Sequence, residues 1–336
     1  MDNLTHSLVG LFLARAGFKR ATPYGTAILV VAANAPDIDV ISWFWGRPTW
    51  LHWHRNITHS LAGAPVMALL TVAFIALSCR RQKIHWWPAF LIALLGVASH
   101  LLLDLTNAYG VRLLLPFSGH WSHLDLTPVV DFAIWIILLL GVVAPAMSRL
   151  VGSEIGESGR GRGGASGKAG WAVAALLLLT AYDYTRSVFH ARATNILDSR
   201  IYNGLAPRRV GAFPTSNPMV WRGIAEMSNA YVDVPVDLLT NFHPSDGVTY
   251  YKPPRTPAMQ AAMATYPFQM LLEFVQYPLW VLQPAIDNGT DGGTRVSLID
   301  LRFGTPTQSG FAATALVDKN NQVLESAFGL GEVKVR

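Results

Sequence analysis

Trp86-Trp87-Pro88-Ala89-Phe90-Leu91-Ile92-Ala93-Leu94-Leu95-Gly96-Val97-Ala98-Ser99-His100-Leu101-Leu102-Leu103-Asp104 decides what kind of fold to expect. Before its closing acid the run holds one ionisable group, His100. Eighteen residues of helix reach about 27 Å, close to the thickness of bilayer hydrocarbon. Leu61–Cys79 and Phe132–Ser148 are uncharged windows of similar length, and the shorter apolar segments Asn3–Phe18, Tyr24–Ala35 and Ala169–Tyr184 accompany them. Together they predict an α-helical polytopic membrane bundle of about six helices.

Composition agrees. Of the 336 residues 51% are hydrophobic and 14% charged, where a soluble domain carries about a quarter charged. One cysteine, Cys79, excludes a disulfide framework and a thiolate metal cluster. The net charge of +5 comes from dispersed cations with no basic stripe, so nucleic acid is not an expected partner. Met1-Asp2-Asn3 lacks the basic start of a signal peptide, and none is expected.

Alternating six helices across a bilayer sorts the loops. Arg15, Lys19, Arg20, Arg80, Arg81, Lys83, Arg149, Arg160, Arg162 and Lys168 fall on one side; Arg47, Arg55 and Arg112 fall on the other. The positive-inside rule assigns the richer side to the cytoplasm. Residues 1–150 then form the membrane-embedded bundle, 151–169 a Gly/Ser-rich cytoplasmic linker and 170–186 a transmembrane helix. Residues 187–336 form a small extracytoplasmic α+β domain. Alternating runs at Tyr231–Val236, Thr294–Phe303, Phe311–Val317 and Gln322–Phe328 predict its antiparallel strands, the last two joined by a turn at Asp318-Lys319-Asn320-Asn321. Pro257–Trp280 reads as helical, interrupted at Pro267.

Thr5-His6-Ser7-Leu8-Val9-Gly10 recurs as Thr58-His59-Ser60-Leu61-Ala62-Gly63. Each copy is predicted to open a helix, with Thr at the N-cap and His in the first turn. Acids follow each: Asn34-Ala35-Pro36-Asp37-Ile38-Asp39 after the first, and His100 with Asp104 after the second. Pro36 favours an extended turn there, with Asp37 and Asp39 pointing the same way. His100 and Asp104, four apart, share one helix face. This is the pattern of a parallel helical-hairpin repeat that brings imidazoles and carboxylates to one rim.

Ionisable groups at membrane depth are costly and mark function. Imidazole and carboxylate without thiolate is the donor set of a catalytic zinc or manganese site. The candidate ligands are His6, Asp37, Asp39, His54, His59, His100 and Asp104, for one or two divalent ions, zinc foremost. A structural His–Asp hydrogen bond is the competing reading of His100 and Asp104. Turn formation after proline competes for Asp37 or Asp39. Arg55 is either an anchor for an anionic substrate or an interfacial snorkel, and Arg112 is placed to face a phosphate. Asp125 and Asp131 are either further ligands or supporting groups, and Asp131 is equally a helix-capping charge. His52, His120 and His123 are read as surface or interfacial.

Asp2-Asn3-Leu4-Thr5-His6-Ser7-Leu8, Ala33-Asn34-Ala35-Pro36-Asp37-Ile38-Asp39, His54-Arg55-x-x-Thr58-His59-Ser60, His100-x-x-x-Asp104, Tyr109-Gly110 and Leu115-Pro116-Phe117 resemble the bacterial membrane-bound metal-dependent hydrolases. That family is also described as LexA-binding and inner-membrane-associated. The motifs cover about residues 1–131. Phe213-Pro214 and Asn217-Pro218-x-x-Trp221 look like the outer domain of longer members. The resemblance implies a hydrolase on the inner membrane. More distantly, the order of ligands is similar to zinc-dependent phospholipase C, although no equivalent of its last Glu and His ligands is certain here.

The resulting expectation is an inner-membrane metal-dependent hydrolase that cleaves a phosphoester of a lipid or lipid-linked amphiphile at the periplasmic face. Asp104 with Arg55 and Arg112 would carry the chemistry. An amide or ester hydrolase is the alternative, disfavoured because residues 1–150 hold no Glu to act as general base. A non-enzymatic metal scaffold or transporter is the third reading, and the apolar inner halves of the helices argue against transport. Substrate, metal identity and oligomeric state lie beyond the sequence.

Overall fold

In the computed structural model, residues 1–79, 81–154, 163–285, 293–308 and 310–330 are described. They divide into two units. The first comprises Met1–Asp39, Arg55–Ala191 and Pro214–Pro218; the second comprises Val40–His54, Arg192–Phe213 and Met219–Arg336.

The first unit is helical. Helix α1 (Asn3–Ala16) is capped by Asp2, whose carboxylate accepts the Thr5 backbone N–H at 3.0 Å and the Thr5 hydroxyl at 2.7 Å. Helix α2 (Gly25–Ala32) packs on it and leads into a 3₁₀ helix, Ala35–Trp45. Helix α3 (Arg47–Trp53) belongs to the second unit; a 3₁₀ turn, Ile57–His59, then precedes α4 (Ala64–Ser78) and α5 (Trp86–Leu105). Helix α6 spans Phe132–Glu154 and α7 Gly163–Asp198. The expected linker 151–169 falls partly on 155–162, outside the described residues.

Small residues let these helices close up. A Cβ on Gly10 would sit 2.8 Å from the Leu29 carbonyl oxygen, and one on Gly96 would sit 2.8 Å from Ala32 Cβ. The core they enclose is Ala14, Ile28, Leu29, Ala32, Ala68, Val72, Ala93 and Val97. Its partition is inverted relative to a water-soluble globule. His6, His59, His100 and Asp104 are buried, while Leu69, Leu70, Phe74, Leu77, Leu102 and Leu140 are exposed.

Among the described residues one helix, α5, is long and apolar enough to cross a membrane by itself. The count reaches three if two bent pairs each act as one span: Gly25–Ala32 with Ala35–Trp45, bent 44°, and Arg47–His59 with Ala64–Ser78, bent 86°. The described helices thus supply one to three spans by this measure, and the expected six are not shown. At 1.5 Å per residue α1 and α2 cover only about 21 and 12 Å. Two local expectations are corrected. Asp37 and Asp39 lie on a 3₁₀ helix rather than an extended turn, and the second Thr-His-Ser copy lies in a 3₁₀ turn ahead of α4 rather than at a helix N-cap.

The second unit is an α/β domain with two antiparallel sheets. Strands β1 (Arg209–Pro214), β2 (Val220–Glu226), β3 (Ala230–Asp237) and β4 (Val248–Tyr251) form one sheet in that order. Helices α8 (Pro257–Met263) and α9 (Tyr266–Phe274) follow. Strands β5 (Pro278–Pro284), β6 (Thr294–Asp300), β7 (Phe311–Val317) and β8 (Val323–Leu330) form the other sheet. The β7–β8 turn is tied by Asp318, whose carboxylate accepts the N–H groups of Asn320 and Gln322. Pro267 sits in the first turn of α9, so the helical stretch breaks ahead of it. Helix α3 packs on α9, with His52 Nδ1 2.9 Å from Glu273 Oε2 and Thr49 Oγ1 3.1 Å from the Tyr266 hydroxyl.

Candidate metal centre

Four side chains from three segments converge in the first unit: Asp37, His59, His100 and Asp104. Asp37 comes from the 3₁₀ helix after α2, His59 from the 3₁₀ turn before α4, and His100 and Asp104 from adjacent turns of α5. His59, His100 and Asp104 are fully buried; Asp37 is partly exposed and marks the accessible side.

Hydrogen bonds assign both imidazole tautomers. His100 Nδ1 lies 2.8 Å from the Ala33 carbonyl oxygen, which only accepts, so Nδ1 carries the proton. His59 Nδ1 lies 3.1 Å from Asp39 Oδ2 and 3.1 Å from Thr58 Oγ1. The Thr58 hydroxyl spends its proton on Asp39 Oδ2 at 3.0 Å, so both oxygens offer lone pairs to His59 Nδ1–H. With Nδ1–H committed outward on each ring, each Nε2 turns inward, and the two Nε2 atoms stand 3.0 Å apart. Two imidazole nitrogens at that distance are joined by a shared proton or by a metal ion.

The remaining donor spacings suit an ion. His59 Nε2 is 3.4 Å from Asp37 Oδ1 and 3.4 Å from Asp104 Oδ2. His100 Nε2 is 3.6 Å from Asp37 Oδ1 and 3.3 Å from Asp104 Oδ2. A tetrahedral ion with bonds of about 2.0–2.1 Å holds its donor atoms about 3.3 Å apart. Asp104 Oδ2 is buried and has no hydrogen-bond partner, a costly arrangement unless something binds it. The residues present fit a divalent metal.

Supporting groups hold the donors in place. Asp104 Oδ1 accepts from the Arg55 guanidinium at 3.0 Å and meets the Met1 amino group. Arg55 also donates to the Gly110 carbonyl at 3.2 Å and stacks over the Tyr109 ring. Asp39 accepts the Arg55 backbone N–H at 2.8 Å in addition to the Thr58 hydroxyl. Arg55 has a φ of 55°, a left-handed conformation imposed on a non-glycine residue, and this N–H contact holds it there. Asp39 therefore orients His59 from behind, the carboxylate–histidine pairing typical of metal ligands.

The other expected residues divide. His6 is fully buried and stacks on His100, ring centroids 3.8 Å apart, with Nε2 3.5 Å from Asp104 Oδ1. It belongs to the pocket but not to the four that share a centre. His54 stacks on Trp50 and is outside that group. Arg112 is buried with its guanidinium over Trp121. Asp125 pairs with His123 at 2.9 Å. Asp131 Oδ1 accepts the Ala133 and Ile134 N–H groups at the start of α6, and Oδ2 accepts the Tyr182 hydroxyl, so it is a cap. Sequence reasoning did not anticipate Thr58, the Ala33 carbonyl, Gly110 or Tyr109 as supports; only the adjacency of Thr58 to His59 hinted at one.

Residues 1–193 match the profile of the YdjM inner membrane protein. The chain belongs to the YdjM inner membrane protein family. It is thus a membrane protein, and in YdjM terms all four candidate metal ligands lie within the family's own segment. Residues 257–335 match the YfhP C-terminal alpha/beta plait domain, which covers α8, α9 and the second sheet. The uncharacterized protein YfhP of Bacillus subtilis (strain 168) is 29% identical over 151 residues, covering 42% of this chain and 45% of that relative. The chain therefore matches less than half the length of this curated relative. No solved structure matches.

Proposed function

We propose that this YdjM-family chain is a metal-dependent hydrolase that cleaves a phosphoester of a lipid or lipid-linked substrate at the periplasmic face of the inner membrane. The observation that carries the reading is the convergence of four donors, two inward Nε2 atoms 3.0 Å apart flanked by Asp37 and the orphaned Asp104 Oδ2. Zinc suits an imidazole–carboxylate set at tetrahedral spacing. One ion is the favoured load, because Asp104 Oδ1, which a second ion would need, already faces Arg55. When bound, such an ion supplies Lewis acidity and water activation near neutral pH.

The chain's own groups do the rest. Asp39 and the Ala33 carbonyl fix the two imidazoles, and Arg55 fixes Asp104 as a positioning residue. The partly exposed side of Asp37 admits substrate, and the buried His6 and His100 rings exclude solvent behind it. The excess of cations in the loops away from this rim supports placing it on the periplasmic side. The inverted partition of the first unit supports several membrane passes.

Metal analysis of the full-length protein in nanodiscs tests the site. About one zinc per chain is expected in wild type, and loss of zinc in Asp37→Asn, His59→Ala and His100→Ala. Zinc-loaded protein should then hydrolyse phospholipids in a phosphodiester panel. Absence of stoichiometric metal overturns the centre. Bound metal with no phosphoester turnover overturns the substrate class and leaves an amide or ester hydrolase, or a metal scaffold.

A further inference from the structure

The 3₁₀ helix Ala35–Trp45 is built the wrong way out for water. With three residues per turn, side chains three apart stack in rows. The row Ile38, Ile41, Phe44 is apolar and 62%, 55% and 85% exposed. The row that turns inward is polar: Asp39 and Ser42 are 8% and 6% exposed, before Trp45 emerges at the helix end. Val40 and Trp43 add to the outer face. A helix bathed in water shows the opposite distribution.

The surroundings that suit such a face are named by its composition and its neighbours. Val40–His54 carries five aromatic residues, Trp43, Phe44, Trp45, Trp50 and Trp53, a single arginine, Arg47, and no acid. Tryptophan-rich segments flanked by a cation settle at the membrane–water interface, where the rings meet headgroups and the cation meets lipid phosphates. The face is also continuous with a membrane-spanning pattern, since Gly25–Ala32 and Ala35–Trp45 together are apolar enough for a span but bend by 44°. A bend of that kind turns the second helix toward the plane of the bilayer.

We infer that the outer face of Ala35–Trp45 is an interfacial lipid-binding surface, with Ile38, Ile41 and Phe44 seated in the acyl–headgroup boundary. This inference rests on membrane residence and not on hydrolysis. It deepens the proposed function in one respect: Ile38 of this face adjoins Asp37 in sequence, so a lipid docked at Ile38 would sit beside a candidate ligand of the proposed hydrolase.

Because Cys79 is the one cysteine, site-specific labelling tests this directly. In a Cys79→Ala background, Ile41→Cys and Phe44→Cys are each labelled with bimane in full-length protein. Leu239→Cys, 76% exposed in the second unit, serves as the water-facing control. The samples are reconstituted in phosphatidylethanolamine–phosphatidylglycerol vesicles with lipids brominated near the headgroup. At 41 and 44, bromolipid quenching at least twofold above position 239, with aqueous iodide quenching at least twofold below it, is the expected result. Iodide quenching equal to that at 239 would show a water-facing helix and overturn the inference. Quenching by neither agent would show a protein partner on this face and overturn it equally. None of these readouts depends on bound metal or turnover, so failure here is distinguishable from failure of the hydrolase reading.

Discussion

At the scale of single residues, the centre separates donors from the groups that aim them. Asp39→Asn keeps the shape but weakens the acceptor behind His59 Nδ1–H. Zinc affinity should fall about 10–100-fold, measured by competition with a chromophoric chelator, whereas His59→Ala should abolish stoichiometric binding. Equal affinity in Asp39→Asn and wild type would remove Asp39 from its orienting role. A second residue-scale effect lies in the other unit, at Glu226. Burial pushes its carboxyl up, but Lys252 at 2.7 Å and the Arg209 guanidinium outweigh that and hold it below its usual value. The unfolded chain therefore takes up the proton first. Glu226's stabilising contribution is complete above the unfolded pKa of about 4.3 and is lost as pH falls through the lower folded value. Glu226→Gln should flatten the acid limb of the second unit's stability below about pH 5, read by thermal scans across pH. His100, Asp104, His59 and Asp37 were legible in the sequence because a charge within an apolar run has few innocent explanations. His54 was not, because a spacing of five from His59 says nothing about the turn at Arg55 that separates them.

Elements are held by features that the hydrophobic pattern only half discloses. Helix α5 approaches α2 over Gly96, where any Cβ would press on Ala32 and the Leu29 carbonyl. Gly96→Val should destabilise the bundle by about 1–3 kcal/mol, with a lower midpoint in detergent unfolding by circular dichroism. Asp131→Ala removes the cap of α6 and should cost about 1 kcal/mol in the same assay while leaving zinc stoichiometry unchanged. Retention of full stability by Gly96→Val would mean that the helices are less closely packed than described. The long apolar run of α5 and the hairpin of β7 and β8 were readable, since period and turn chemistry agree there. Strands β1, β2, β4 and β5 were not anticipated, because short runs broken by proline and glycine carry little period. Pro36 was read as the start of extended chain, yet proline in a first turn also admits a 3₁₀ helix, and here packing of Asp39 and Ser42 inward selects it.

For the whole molecule, two units of opposite construction share one chain: an inverted helical bundle and an α/β unit with an ordinary apolar core. Such a chain should not unfold in a single step. Calorimetry in nanodiscs should resolve two transitions, and zinc should raise only that of the bundle. The gain is about 2.7 kcal/mol at a hundredfold excess over Kd, reversed by a chelator. A zinc shift of the other transition, or of neither, would contradict the placement of the ligands. Val40–His54 groups with residues far along the chain through α3 and α9, a long-range contact that leaves no local signature in the sequence. That excursion begins beside Asp39 and ends at Arg55, and the Arg55 N–H to Asp39 Oδ2 bond clamps its two feet together. The loop is in effect a cassette: exchanging its fifteen residues for those of another homologue should alter the surface they present while the clamp keeps the candidate metal ligands in register.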